Sequence, residues 1–89
     1  MQRKATFRIR MKKFYTKLIE DGVKWDELKP TFTSWFNEAR FLGIDEKVVK
    51  GTIEEIARIY YQVHNDIDME KGLEEVYRLF IEELRGGVE

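Results

Sequence analysis

"KATFRIRMKKFYTKLIEDG", residues 4–22, decides how this chain is built, because it obeys two periods at once. Ala5, Phe7, Ile9 and Met11 alternate with Thr6, Arg8 and Arg10, the period of two that belongs to a strand. From Met11 onward, Met11, Phe14, Tyr15, Leu18 and Ile19 recur at helical spacing, and Asp21-Gly22 ends the run. Ile9 falls out of phase with that helix by roughly half a turn, taking about 100° per residue. Extended chain that turns helical near residue 11 is the preferred reading. A continuous helix from residue 4 is the competitor.

The same stretch holds the charge asymmetry of the chain. Positions 1–19 contain Arg3, Lys4, Arg8, Arg10, Lys12, Lys13 and Lys17 and no acid, although the whole chain is net −1. The remainder is strongly acidic. Such an imbalance reads as a basic arm for an anionic partner, or as an arm that pairs with acidic helices of its own or a second copy. Arginines locked against carboxylates of their own chain would end the first of these, as would a basic segment buried with no open positive surface.

Three further helices follow from hydrophobic spacing. The first runs from Glu27 to Leu42, with Asp26 as N-cap, Gly43 as stop, and Leu28, Phe32, Trp35, Phe36 and Ala39 on one face. Pro30 lies in its first turn, where a missing N–H is tolerated. Phe41 projects from the opposite face. The next spans Glu46 to Val63, capped by Asp45, with Ile44 stapled to Val49 and a stripe of Val49, Ile53, Ile56, Tyr60 and Val63. Gly51 inside it marks either a close helix crossing or a tolerated cost. The last spans Met69 to Arg85, capped by Asp68, ended by Gly86-Gly87, and buries Leu73, Val76, Tyr77, Phe80, Ile81 and Leu84. The fold class is therefore mainly α: about four helices in a small bundle, one domain over 1–89. Its basic N-terminal segment is either a short intermolecular β-ribbon strand or part of the first helix.

Several chemistries drop out. The chain has no cysteine, so disulfides and thiolate sites are excluded. No apolar run approaches the ~20 residues of a membrane span, and no apolar core follows the basic start as in a secretory signal. No membrane role and a cytoplasmic location are the expectations. "DIDMEKG" at 66–72 places Gly72 one position late for a calcium loop and has Tyr77 where a glutamate belongs. His64 is the sole histidine and suits a helix C-terminus. The neighbours Glu54-Glu55, Glu74-Glu75 and Glu82-Glu83 point about 100° apart on a helix, so none is a catalytic dyad. Ser34 has no general base near it in the chain. No metal, no cofactor and no catalysis are expected.

A lone strand cannot satisfy its own backbone, so an ordered strand at 5–10 requires a second chain, most simply across a two-fold axis. Its outer face would present Thr6, Arg8 and Arg10, which a two-stranded ribbon can carry into the DNA major groove. Arg3, Lys4, Lys12, Lys13 and Lys17 would then hold phosphates. "KATFRIR", a short helix and "DGVKWDELKPTF" together resemble a ribbon-helix-helix DNA-binding domain over residues 4–42, leaving 43–89 as a helical hairpin. The resemblance implies a homodimer on double-stranded DNA. It makes Gly22 the turn, Asp26 the cap and Glu27-Leu28 the opening of the second helix, and it gives Thr6, Arg8 and Arg10 to the bases.

If the segment is helical instead, the cluster contacts nucleic acid by phosphate alone or docks on an acidic protein. The expected function is a small non-enzymatic DNA-binding regulator, dimeric. The alternative is a helical protein–protein interaction module, an inhibitor or assembly subunit without nucleic acid. Phe41 and one of Tyr60 or Tyr61 (Tyr61 being the outward choice) would supply its contact surface.

Overall fold

The segment that alternates at 5–10 is helical. The computed structural model describes residues 2–86, with side chains from 5 to 83, and its first element, α1, is one helix over Gln2–Glu20. This corrects the ribbon strand. Phe7, Met11, Tyr15 and Ile19 are fully buried at successive i,i+4 positions, whereas Ile9 stays 55% exposed. The apparent alternation came from two outward apolar residues, Ala5 and Ile9. Burying the four-residue repeat outweighs leaving Ala5 and Ile9 in water, which folded proteins tolerate routinely. A helix also closes its own hydrogen bonds, so residues 5–10 need no second chain.

The helix expected over Glu27–Leu42 is broken. A short α2 covers Trp25–Leu28, a 3-10 turn covers Lys29–Thr31, and α3 covers Phe32–Leu42. Pro30 is the cause: it lacks the N–H that would bond back four residues, so the chain tightens there. Asp26 consequently sits inside α2 and is not its cap. The break is tied down by a hydroxyl relay. Thr31 Oγ1 donates to the Leu28 carbonyl at 2.6 Å. Its one hydrogen is thereby used, so the Tyr15 hydroxyl donates to Thr31 Oγ1 at 2.7 Å. Burial pushes the Tyr15 phenol well above its ordinary range, against the pull of Thr31, so it remains a donor throughout.

The remaining two helices match expectation closely. α4 is Glu46–His64, with the Asp45 carboxylate accepting from the Lys47 N–H at 2.8 Å. α5 is Met69–Gly86, with Asp68 accepting from the Lys71 N–H at 3.2 Å. Gly43 ends α3 at φ 72°, a left-handed position that favours glycine. Asn65 does the same for α4 at φ 56°. Val63, expected in the α4 stripe, is 52% exposed because the helix ends one residue later. Ile81 likewise faces outward on α5, and Tyr77 is only partly covered.

Contacts fix the directions. Tyr15 meets Thr31 while Arg10 meets Glu38, so α1 and α3 run antiparallel. Arg8 meets Glu55 while His64 Nε2 bonds the Ile19 carbonyl at 2.8 Å, so α1 and α4 run parallel. Phe36 packs on Phe80, and Lys29 pairs with Glu75 at 3.0 Å, which sets α3 parallel to α5. Around the bundle the order is therefore α1, α4, α5, α3, with one core between them.

Two helical glycines differ in what surrounds them. A Cβ on Gly72 would lie 3.1 Å from Trp25 Nε1, so glycine lets α5 sit on the indole edge. A Cβ on Gly51 would meet nothing within 4 Å. Gly51 thus marks no close crossing. Gly51→Ala is expected to raise stability by about 0.5–1 kcal/mol, the helix-propensity gain, read from the midpoint of urea denaturation.

Candidate nucleic-acid interface

The basic residues of α1 fan out around a helix and do not line one face of a ribbon. Arg8 lies roughly 160° around the axis from Arg10, taking about 100° per residue. Thr6 shares the flank of Arg10 and is exposed. Thr6, Arg8 and Arg10 therefore form no common base-reading surface.

Arg8 and Arg10 each have an intramolecular carboxylate. On the flank toward α4, Arg8 Nη2 lies 2.9 Å from Glu55 Oε1. Lys12 Nζ reaches the other oxygen of Glu55 at 3.4 Å. On the flank toward α3, Arg10 Nη1 donates to Glu38 Oε2 at 2.6 Å. Its guanidinium also lies over the Trp35 ring, 5.4 Å from the centroid. Arg8 and Arg10 thus follow the second reading of the basic arm, pairing within the chain, and the open positive surface among the described side chains is left to Lys13 and Lys17. The i,i+4 spacing of Arg8 and Lys12 could have announced a shared partner on a neighbouring helix, had the segment been read as helical. The identity of that partner, 43 and more residues away, could not be read.

Lys13 and Lys17 are different. Both are exposed, and neither has a carboxylate within 4 Å among the described residues. They sit one helical turn apart on the outer side of α1. Glu20 and Asp21 close the positive run at its C-terminal end. Arg3 and Lys4 lie on the helical backbone of α1, but their side chains fall outside those described.

The pairs at Arg8 and Arg10 are half-exposed at 48% and 51% of their side-chain surface. Such surface pairs contribute about 0–1 kcal/mol and exchange readily for other anions. Arg8 holds the Glu55 carboxyl below its ordinary value of 4.5 by hydrogen bonding, and Lys12 adds to this. A depressed carboxyl adds stability above the unfolded value and loses it as pH falls through the folded one. The urea midpoints of wild type and an Arg8→Ala/Lys12→Ala variant should therefore differ most near pH 6. The gap should shrink toward about pH 3. A gap independent of pH would leave Glu55 without this role.

A second polar cluster lies at the opposite edge of the bundle. Lys24 Nζ is 3.3 Å from Asp66 Oδ2, and Tyr60 accepts from the Trp25 backbone N–H at 3.1 Å. The Tyr60 hydroxyl, then Lys24, holds the Asp66 carboxyl below its usual range. These residues border an open cleft of about 310 Å³ with charges of both signs. Trp25 Nε1 is buried there without a partner, beneath Gly72. No group of three or more His, Cys, Asp or Glu side chains among the described residues could hold a metal ion. No helix among them is long and apolar enough to cross a membrane.

Phe41 is 87% exposed on the outer side of α3, and Tyr61 is 44% exposed on α4 while Tyr60 is buried. No contact in the structure joins Phe41 to Tyr61. No family model, curated protein or solved structure matches the chain.

Proposed function

We propose that this chain is a small non-enzymatic module that binds nucleic acid through the phosphate backbone along α1. The observation that carries the reading is an uncompensated charge. Among the described side chains, five cations of α1 (Arg8, Arg10, Lys12, Lys13 and Lys17) face Glu20 of their own helix and the carboxylates of Glu38 and Glu55 from its neighbours, which leaves an excess of two positive charges. Surplus cations on one helix release condensed counterions when they meet a polyanion. The ordering of α1 supports backbone contact over base reading. A rigid helix with cations on three sides tracks phosphates, while Arg8 and Arg10 no longer point the same way. The reading is therefore sequence-tolerant binding. A dimer is no longer needed to complete a strand.

Fluorescence anisotropy of a labelled oligonucleotide, titrated at several salt concentrations, tests it. Binding should be present at low salt and fall steeply as salt rises, by about 0.9 in log K per log salt for each phosphate contact on duplex. No binding at low salt would overturn the reading. One observation favours the second reading, a protein-interaction module: Phe41 stands 87% exposed, which a self-sufficient bundle does not require.

A further inference from the structure

Cations and partly or wholly exposed aromatic rings follow one another along the seam between α1 and α3 and onto the outer side of α3. Phe41 follows Glu38 by three residues, one helical turn, and such neighbours lie about 5–6 Å apart at their Cβ atoms. Glu38 holds Arg10, so Phe41 stands at the N-terminal end of the α1 flank that Arg10 occupies. Further along, Arg10 lies over Trp35. Phe14 packs at 5.7 Å from the same indole and remains 44% exposed. Lys17 follows on the next turn of α1, with Lys13 beside it. One strip thus carries Phe41, Arg10 on Trp35, Phe14 and Lys17 in sequence.

We infer that the polyanion this seam fits is a single strand with unpaired bases, resting on the proposed phosphate contact of α1. A duplex offers α1 its phosphates but keeps its base faces stacked inside, so Phe41 would have nothing to meet. A single strand offers both. Its phosphates suit Lys13 and Lys17, and any base can lie on an aromatic ring, since every base has a π-face. Stacking of this kind tolerates sequence, in keeping with a helix that has no base-reading face. Phe41 is free to act because it supports nothing: its ring is 87% exposed and outside the core.

The test compares a labelled oligothymidylate with the same strand paired to its complement, by anisotropy at low salt, for wild type, Phe41→Ala and Phe41→Trp. Wild type should prefer the single strand. Phe41→Ala should lose about tenfold or more of single-strand affinity and none of its duplex affinity. Phe41→Trp should retain single-strand binding. Equal binding of both forms, or single-strand affinity unchanged in Phe41→Ala, overturns the stacking inference while the phosphate reading stands. No binding of either form overturns both.

Discussion

Phe7→Ala is expected to remove about 3–5 kcal/mol of folding stability, while Ile9→Ala changes it by no more than about 0.5 kcal/mol. Phe7 is 1% exposed and meets the Trp35 ring edge-on at 5.8 Å. Truncating it opens a void between α1 and α3 that neither helix can close without moving Met11 or Trp35. Domains of this kind hold only about 5–15 kcal/mol in total, so the variant should melt near or below ordinary temperatures. Ile9, two residues away, is 55% exposed and leaves no void. The contrast between the two is the informative quantity. On a strand, residues two apart share a face and their truncations would cost alike. On a helix they point about 200° apart. Thermal melts followed by circular dichroism decide it, and equal losses at 7 and 9 would contradict the continuous α1.

The largest effect on binding is expected from Lys13→Glu combined with Lys17→Glu. These two lysines have no carboxylate partner among the described residues, so reversing them breaks no ion pair of the fold. Each reversal removes one phosphate contact and adds a repulsion. Together they should lower nucleic-acid affinity at low salt by about 100-fold or more, with further loss beyond the two contacts as the field of α1 turns. Stability should shift little. Lys17 lies in the last turn of α1, where a cation suits the helix dipole, so a cost of about 0.3–1 kcal/mol is the most expected there. The melt and the anisotropy titration must therefore separate: binding lost, fold kept. Arg8→Ala makes a useful contrast. It removes a cation and releases one oxygen of the Glu55 carboxylate, whose other oxygen Lys12 still holds, so part of its binding loss is repulsion from a carboxylate the wild type neutralises more fully.

Much of the fold was legible. The helices around Val49–Tyr60 and Val76–Phe80 carry uninterrupted stripes with clear caps at Asp45 and Asp68, and local signals of that strength survive tertiary context. The first-turn rule tolerates Pro30, yet it splits the segment because its missing N–H falls four residues past Asp26, inside the run. Residues 5–11 were ambiguous for a physical reason. Phe7 and Met11 fit both periods, and only Ala5 and Ile9 distinguish them, through an exposure that no local rule dictates. The interface was less legible still. The basic cluster is written in the sequence, but Glu38 and Glu55 become its partners only after α3 and α4 are packed. Phe41 was readable, since it opposes its own stripe. Its place one helical turn from Glu38, the partner of Arg10, was not, because that pairing depends on α1 and α3 running antiparallel.

The most direct test is the slope of log affinity against log salt, measured for wild type and for Lys13→Ala/Lys17→Ala on one oligonucleotide. If the outer face of α1 grips phosphates, the variant's slope is shallower by about 2, one for each lysine withdrawn. An unchanged slope, or a wild type that binds nothing even at low salt, contradicts it.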